Sequence, residues 1–284
     1  YPTKILYTFP VVATASISPF RFDTFNKLYQ KRFPNAELPG QSFLEWFVGF
    51  TEGDGSFIVN SRGTAIFVIT QGNADLQVLE YIKNNLGFGR VIKQGVKTSR
   101  LIIEDKANIQ LLIAIFNGNL VFPTKQNSFA LFLNAFNTKS QDLLIKLNPL
   151  LVIPTFFDSW LSGFTDAEGC FTCSLLGNST AYRFRFLLAQ LGNTNLSVLT
   201  HITTIIGGVV RPHSQPEVYE LVVNGVSNMY QVFKYFDRHL LKSKKANCYR
   251  IWGEIHVALL NKEHLSTESR AVLKAKAETV NRTQ

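Results

Sequence analysis

The segment FVGFTEGDG at residues 47–55 is repeated later in the chain as LSGFTDAEG at residues 161–169. Both copies are largely apolar, both have Gly at their third position, and both end in the pattern acid, small residue, acid, Gly. An aromatic-rich stretch, FLEW or FDSW, precedes each copy, and a Phe follows each within two residues. Two segments so alike within one chain indicate an internal duplication.

The sequence that follows each copy also repeats, at constant spacing. Asn73 and Asn193 each open an amphipathic segment, Lys125 and Lys245 each open a matched aromatic segment, and both pairs are 120 residues apart. Alternating apolar residues predict strands, and apolar residues three or four apart predict helices. Each half therefore reads helix–strand–strand–helix–strand–strand–helix (αββαββα), which predicts a duplicated α+β fold with one antiparallel sheet per half, backed by helices.

Breaks in the repeat divide the chain into five parts. The residues before the first copy contain several prolines and lack clear periodicity, although residues 22–33 are predicted to be helical. The predicted parts are an N-terminal arm (1–41), a first half-domain (42–138), a linker (139–153), a second half-domain (154–262) and a C-terminal helical tail (263–284). Because the chain begins at Tyr1 rather than Met, we expect it to be a piece of a longer product or to start at an engineered boundary.

Local signals predict that both copies are helices that end at their second acid. Ser42-x-x-Glu45 has the spacing of a capping box at the start of the first helix, and Thr155-x-x-Asp158 is a looser version before the second. Gly55 and Gly169 follow the acids directly, and a Gly in the left-handed conformation commonly ends a helix.

The Gly in the middle of each predicted helix needs a structural reason. Gly49 and Gly163 occupy positions where Gly costs about 1 kcal/mol relative to Ala. Two helices that cross with their backbones in contact would supply that reason. The pattern therefore predicts that the two helices pack directly against each other.

Charge and composition limit the classes of partner. The formal net charge is +9 and the sequence pI is about 9.5, which favours an anionic partner such as nucleic acid or a membrane surface. No apolar run approaches the ~20 residues that span a bilayer. Cys170 and Cys173 would lie on opposite faces of a strand and have no second pair to complete a zinc site, so we expect reduced cysteines in the sheet.

The acids at the predicted helix ends, Asp54 and Glu168, are the candidate reactive groups. A carboxylate there faces the negative end of the helix dipole, which costs roughly 0.3–1 kcal/mol, and a polyanionic ligand adds to the repulsion. A divalent cation resolves the conflict because it binds carboxylate and phosphate oxygens together. Two such acids, brought together by two packed helices, suit two-metal cleavage of a phosphodiester bond.

These residues carry a family resemblance, since residues 47–55 and 161–169 resemble the two motifs of the LAGLIDADG homing endonucleases in their single-chain form. The resemblance covers roughly residues 42–260 and includes the order of elements. It implies a monomer with pseudo-twofold symmetry, in which the motif helices form the interface and each antiparallel sheet forms a saddle over the DNA major groove. The first acids of the two copies, Glu52 and Asp166, are interpreted as structural.

The resemblance also implies a metal-dependent active site. Asp54 and Glu168 would share two or three Mg²⁺ ions, helped by the backbone carbonyls of Gly53 and Ala167. The second acids thus form a mixed pair, one Asp and one Glu, and both acid types occur in the family.

Two further kinds of polar residue match the family's active site. Gln71 and Gln190, at the ends of the second strands, match a polar residue that orders water, and the alternative is that they are solvated glutamines at strand ends. A basic residue that stabilises the phosphate or polarises the attacking water is matched by Lys125 and, in the second half, by one of Lys242, Lys244 and Lys245. The constant spacing of 120 residues favours Lys245.

Strand alternation assigns the residues that would face DNA. The parity that should face the helices consists of Phe57, Val59, Phe171, Cys173 and Leu175. The residues predicted to face DNA have the opposite parity or are basic residues of the other strands: Ser56, Ile58, Asn60, Arg62, Arg90, Thr172, Ser174, Asn178, Arg183, Arg185, Arg211 and His213. Arg to guanine and Asn to adenine are productive pairings in the major groove.

The resemblance implies a sequence-specific, Mg²⁺-dependent endonuclease that makes a double-strand break in a DNA target of about 20 bp. It also implies an intron- or intein-borne origin, and a composition with 24 Phe and one Met fits an organellar reading frame, which suggests a mitochondrial protein. Two alternatives are an RNA-binding maturase, with intron RNA as its partner, and a DNA-binding protein without activity. Retention of both Asp54 and Glu168 favours the endonuclease over the inactive protein.

Overall fold

The computed structural model describes residues 20–140, 143–177 and 179–281. Within these residues the chain forms two similar halves, each with a four-stranded antiparallel sheet packed against helices. The predicted N-terminal arm is described only from residue 20 onward, and Asn178, one of the residues predicted to face DNA, lies outside the described residues.

The first half follows the predicted order and adds one helix at its end. Helix α1 (Asp23–Arg32) belongs to the arm. The elements of the first half are α2 (Gln41–Asp54), β1 (Gly55–Val59), β2 (Ala65–Gly72), α3 (Leu76–Leu86), β3 (Arg90–Gln94), β4 (Thr98–Ile103), α4 (Lys106–Phe116) and α5 (Pro123–Thr138). The sheet order is β1-β2-β4-β3, and all neighbouring strands are antiparallel. Helix α5 carries Lys125 in its first turn.

The second half has the same arrangement, followed by a further helix in the C-terminal tail. Its elements are α6 (Trp160–Glu168), β5 (Cys170–Leu175), β6 (Tyr182–Leu191), α7 (Leu196–Ile206), β7 (Val209–Pro212), β8 (Val218–Asn224), α8 (Tyr230–Arg238), α9 (Lys245–Leu260) and α10 (Thr267–Thr279). The sheet order is β5-β6-β8-β7, again antiparallel throughout. No helix in the described part of the chain is long and apolar enough to span a bilayer.

Aromatic side chains fill the space between each sheet and its helices. The Phe57 ring lies within 5.6 Å, centroid to centroid, of the rings of Phe67, Phe116, Phe129 and Phe132. Such contacts fix which face of the strand is inside, because a one-residue slip would turn the ring outward.

The predicted parity holds in both sheets with one exception. Phe171 and Leu175 are buried, and Cys173 is half-buried against the core. Val59, predicted to face the helices, is 42% exposed, since β1 ends at this residue and the chain turns into solvent. All three cysteines are free, as expected.

The two motif helices cross with their backbones in contact. A Cβ atom at Gly49 would collide with the carbonyl oxygen of Trp160 and lie 2.9 Å from the Phe164 nitrogen. A Cβ atom at Gly163 would collide with the carbonyl oxygen of Trp46 and lie 2.8 Å from the Phe50 nitrogen. The predicted reason for a mid-helix Gly is confirmed, because any side chain here would separate the helices.

The glycines that follow the acids have a different role from the predicted one. Gly55 (φ −81°, ψ 146°) and Gly169 (φ −69°, ψ 150°) are extended rather than left-handed, so each continues straight into a strand. A Cβ atom at Gly55 would lie 2.8 Å from the carbonyl oxygen of Thr51, and one at Gly169 would lie 2.9 Å from that of Thr165. Gly is required here by the tight passage from helix to strand.

The predicted capping box does not form at α2, whereas Thr155 and Asp158 make the reciprocal bonds of a capping box in the turn before α6. Helix α2 starts at Gln41 with Gly40 as its N-cap, and Glu45 instead accepts a hydrogen bond from the Ser159 backbone N–H at 3.0 Å, across the interface. Asp158 accepts from the Thr155 N–H at 2.6 Å, but this turn precedes α6, which starts at Trp160. Glu45 is buried and needs a hydrogen-bond donor, and the crossing of the helices brings the Ser159 backbone N–H to it.

We predict opposite stability effects for two Gly→Ala substitutions in the middle of helices. Gly49→Ala should destabilise the protein by more than about 3 kcal/mol, because a backbone contact between packed helices cannot yield locally. Gly253→Ala in α9 should stabilise by up to about 1 kcal/mol, because its Cβ would lie at an ordinary 3.5 Å from Phe233 Cε1 and Ala favours a helix. Denaturant unfolding of both variants tests this, and equal effects would contradict the close crossing.

Candidate active site

The ends of the two motif helices meet. Helix α2 ends at Asp54 and helix α6 ends at Glu168, as predicted. A Cβ atom at Gly53 would collide with the Ala167 side chain and lie 3.0 Å from Glu168 Cγ and 3.4 Å from Glu168 Oε1. Because Gly53 and Asp54 are adjacent, the two acidic side chains share one small region at the interface.

The electrostatics of this region disfavour two charged acids. Partial burial raises the pKa of the Asp54 carboxyl group. Partial burial, and then the neighbouring charge of Asp54, raises the pKa of the Glu168 carboxyl group. Two carboxylates placed this way repel each other and gain from a shared cation.

Two lysines oppose that negative charge. Lys125 Nζ donates to the Gly55 carbonyl oxygen at 2.7 Å, and Lys245 Nζ donates to the carbonyl oxygen of Ala167 at 2.6 Å. Burial lowers the pKa of both lysines, while the charges of Asp54 and Glu168 act in the opposite direction. Each half thus contributes one acid and one amine to a single site.

The other two lysine candidates lie elsewhere. Lys244 Nζ is 3.9 Å from an Asp75 carboxylate oxygen, and Lys242 Nζ lies over the Tyr81 ring, 5.8 Å from its centroid. Lys245 is therefore the lysine of this group whose ammonium group contacts the end of α6.

The two glutamines differ in their contacts. Gln71 Nε2 donates to Asp54 Oδ2 at 2.6 Å, so this side chain belongs to the acidic region. Gln190 lies opposite Tyr219 in the ladder between β6 and β8, and among the described residues its side chain makes no hydrogen bond. The site is therefore asymmetric.

The donor set suits a hard divalent cation. Within the described part of the chain, no group of three or more His, Cys, Asp or Glu residues could hold a metal ion. Asp54 and Glu168 supply carboxylate oxygens only, which suits a cation that takes its other ligands from water and phosphate. The Ala167 carbonyl oxygen already accepts from Lys245, and a carbonyl has a second lone pair for a cation.

The first acid of each motif is buried, and it bonds the indole of the other motif helix. Glu52 Oε2 accepts from Trp160 Nε1 at 2.5 Å, while Glu52 Oε1 accepts from the backbone N–H groups of Val121 and Phe122 at 2.8 and 2.6 Å. Burial raises the pKa of Glu52 to about 7, and these donors act in the opposite direction. Glu52 thus ties α6 to the start of α5.

Asp166 makes the equivalent bonds in the second half. Its Oδ2 accepts from Trp46 Nε1 at 2.8 Å and from the Lys242 backbone N–H at 2.6 Å, and its Oδ1 accepts from the Ser243 N–H at 3.0 Å. The sequence predicts a structural role for these acids but does not predict that the two tryptophans bond them. A signal was present, because each Trp lies six residues before the acid of its own copy.

We predict that these reciprocal bonds contribute measurably to stability. Trp160→Phe and Trp46→Phe should each destabilise by about 1 kcal/mol more than Trp252→Phe, because each of the first two removes one donor from a buried carboxylate, that of Glu52 or Asp166. The control is matched in volume, and Trp252 Nε1 donates to a neutral acceptor, the Thr172 carbonyl, at 3.2 Å. Denaturant unfolding measures all three, and equal costs would show that the carboxylate bonds add nothing.

The residues predicted to face DNA on the first sheet fall into two groups. Ser56, Ile58 and Arg62 are exposed. Asn60 Oδ1 accepts from the backbone N–H groups of Arg62 and Thr64 at 3.0 and 2.9 Å, so it shapes the turn between β1 and β2. Arg90 forms a salt bridge of 3.0 Å with Glu104.

The second sheet presents more polar groups on its outer face. Ser174 lies opposite Arg183, and both are exposed. Thr172 lies opposite Arg185, whose Nε is buried without a hydrogen-bond partner among the described residues.

Two other candidates on this sheet have protein partners. Arg211 pairs with Glu220 at 3.0 Å. His213 is exposed, and its Nδ1 accepts from the Gln215 N–H at 3.1 Å. Arg211 thus bonds across the β7–β8 ladder, and His213 bonds within the turn that joins these strands.

Arg270 is a positioning residue that sequence reasoning missed. From α10 its guanidinium donates to the carbonyl oxygens of Leu176, Ser179 and Ala181 at 2.7, 2.6 and 2.9 Å. These carbonyls flank the connection between β5 and β6, at the edge of the outer face. The C-terminal tail thereby holds this connection in place, a role that the sequence pattern of a helix does not reveal.

Two crossing helices that end in paired acids, each joined to its own antiparallel sheet, define a single-chain, two-motif α+β protein with one composite site on its pseudo-twofold axis. The family model for the LAGLIDADG endonucleases matches residues 47–136 and 161–256, more than half of the sequence. The chain belongs to the LAGLIDADG endonuclease family.

Relatives in fungi share this sequence over most of its length. The "Probable intron-encoded endonuclease 4" of Neurospora crassa is 36% identical over 287 residues, which cover 94% of this chain and 52% of the relative. The "Intron-encoded DNA endonuclease aI3" of Saccharomyces cerevisiae is 23% identical, over 86% of this chain and 70% of the relative. The chain thus spans about half the length of the Neurospora protein.

Solved structures share the fold. The meganuclease I-SmaMI, bound to uncleaveable DNA, superposes with a TM-score of 0.73 at 20% identity, covering 85% of this chain and 99% of that one. The LAGLIDADG meganuclease I-AabMI, bound to uncleaved DNA, gives a TM-score of 0.72 at 22% identity, with coverage of 84% and 99%. At these identities the likeness shows the fold.

Proposed function

We propose that this protein is a homing endonuclease that recognises a DNA target of about 20 bp and makes a double-strand break in it. The observation that carries the proposal is the composite site, in which Asp54 and Glu168 come together at the ends of two crossing helices. Two sheets with exposed Ser, Thr and Arg side chains extend from this site, and the net charge of +9 attracts a polyanion. The names of the endonuclease relatives agree with this activity.

The proposed cofactor is Mg²⁺, bound by Asp54 and Glu168 and by the carbonyls of Gly53 and Ala167. When bound, such ions supply Lewis-acid activation of water and neutralise charge on the scissile phosphate. The I-SmaMI complex crystallised with calcium ions is compatible with a divalent cation in this fold.

The chain's own residues supply orientation and proton transfer. Gln71, held against Asp54 at 2.6 Å, orders water on one side of the site, and Gln190 does so on the other. Lys125 and Lys245 place ammonium groups beside the phosphate, and their lowered pKa values make them suitable for passing a proton to or from a reacting oxygen.

We also propose that the protein acts as a monomer and that it is located in mitochondria. Both motif helices lie in one chain, so no second copy is needed to complete the site. Relatives in Schizosaccharomyces pombe and Podospora anserina are named after the cox1 and ND4 introns, which supports an intron-borne mitochondrial origin.

A second candidate function is that of an intron maturase. The relative named "Intron-encoded RNA maturase bI4" of Saccharomyces cerevisiae is 30% identical over 127 residues, which cover 45% of this chain and 19% of that protein. A maturase would bind intron RNA and would not need the carboxylates of Asp54 and Glu168. Splicing of the host intron that survives loss of both acids would support this activity.

We predict that cleavage, and not binding, depends on the two acids. Asp54→Asn and Glu168→Gln should each reduce cleavage by about 100-fold or more, because the cation loses a ligand at the reacting phosphate. DNA affinity without added Mg²⁺ should stay equal or rise slightly, because a negative charge beside the phosphates is removed. Incubation with a target library, with and without Mg²⁺, followed by sequencing of the ends measures the loss of cleavage.

The matched control is Glu37→Gln, an exposed acid outside the site. It should leave both cleavage and binding unchanged. Undiminished cleavage by Asp54→Asn and Glu168→Gln would refute the site assignment, and absence of cleavage by the unaltered protein on every library member would refute the nuclease proposal.

A further inference from the structure

The outer faces of the two sheets differ at equivalent positions. Ile58 lies four residues beyond Asp54, and Thr172 lies four residues beyond Glu168. In the ladders, Ile58 is opposite Ile66, while Thr172 is opposite Arg185. An apolar pair in the first half therefore corresponds to a polar and charged pair in the second.

The pair Ile58–Ile66 belongs to an apolar patch on the outer face of the first sheet. Ile58 is 40% exposed and Ile66 is half-buried, and beside them half-buried Ile102 lies opposite Val68, which is 8% exposed, so Ile58 and Ile66 form the more accessible part of the patch. Adjoining apolar side chains on a face turned away from the core indicate an interaction surface.

The basic residues near this patch indicate which class of ligand it binds. Arg100, whose Nε donates to Thr70 Oγ1 at 3.1 Å, lies on the same face, and Arg62 is exposed at the adjoining turn. Basic residues around an apolar centre match the chemistry of a major groove, where phosphates surround the bases. The apolar group that a base pair presents there is the C5 methyl of thymine.

The equivalent region of the second sheet has the opposite chemistry. Arg185 lies between Thr172 and Asn224 in the ladder, and its Nε is buried without a hydrogen-bond partner. No carboxylate forms a salt bridge with Arg185 or Arg183 in the described residues. Because Arg185 Nε is buried, its terminal nitrogens and those of exposed Arg183 are the donors suited to the O6 and N7 acceptors of guanine.

We infer that the two sheets recognise different bases: the Ile58–Ile66 pair contacts thymine methyl groups, and the Thr172–Arg185 pair contacts guanine at the corresponding place in the other half-site. This inference rests on the proposed DNA-binding function. It assigns each base preference to a particular pair of residues in one half of the chain.

The test begins with selection of bound duplexes from a randomised library, using the unaltered protein without added Mg²⁺. Thymine should be enriched in one half-site and guanine in the other. Synthetic duplexes of a selected sequence are then made with deoxyuridine in place of single thymidines, which removes only the methyl group. Binding should weaken about threefold to fivefold at each contacted methyl.

The complementary substitution probes the second sheet. Replacing the selected guanines one at a time with 7-deazaguanine removes the N7 acceptor, and binding should weaken about tenfold at the contacted position. Loss of less than twofold at every thymine and every guanine would overturn the inference. Cleavage of these same duplexes on addition of Mg²⁺ would then leave the proposed endonuclease function intact.

Variants in which these residue pairs are substituted show which sheet contacts which half-site. The variant Ile58→Thr with Ile66→Arg should replace thymine by guanine in one half-site only, and Thr172→Ile with Arg185→Ile should lose the guanine preference in the other. Val272→Thr, at an exposed position on α10, should change neither. Thermal unfolding checks that the variants fold, and the base-analogue result on the unaltered protein decides the inference if one of them does not.

Two outcomes separate the inference from the function on which it rests. If the unaltered protein binds no duplex in the library, both the proposed function and the inference fail. If it binds but the exchanged variants select the same bases as the unaltered protein, the inference alone fails.

Discussion

The close crossing of α2 and α6 is the constraint on which the rest of the molecule depends. Backbone contact is possible because Gly49 and Gly163 have no side chain, and each would otherwise meet a Trp carbonyl oxygen of the other helix. Asp54 and Glu168 both lie five residues beyond these glycines, about 7.5 Å along each helix axis. Equal distances from a shared crossing point bring the two acids to the same level, so the site follows from the packing.

Each motif helix therefore presents two acids that have different environments. Glu52 and Asp54 are two residues apart, which places their side chains on different faces of the helix. Glu52 is buried and bonded by Trp160 and two backbone N–H groups, so its charge is compensated within the protein. Among the described residues, Asp54 accepts a side-chain hydrogen bond from Gln71 and has lysines at longer range, which leaves its charge available to a cation.

Local patterns in the sequence were sufficient to predict the elements but not all of their contacts. The helix ends at Asp54 and Glu168 and the inward face of Phe57 follow from signals within a few residues. The bond from Trp160 to Glu52 joins residues 108 apart, and no local pattern reports such a contact. A Gly after the acid does not distinguish a left-handed helix end from the extended Gly55 that the structure shows, because a left-handed residue and the close approach to the Thr51 carbonyl oxygen both favour Gly.

Gene duplication within one chain also explains why the halves agree at some positions and differ at others. A change at Gly49 would be felt by the backbone of α6, and a change at Gly163 by that of α2, so the two sides of the crossing constrain each other. The outer faces of the sheets have no such reciprocal contact, because Ile58 and Thr172 face away from the interface and the core. Each face can then be fitted to its own half-site at no cost to the other. A homodimer would have to present the same pair twice, and joining the halves in one chain removes that restriction.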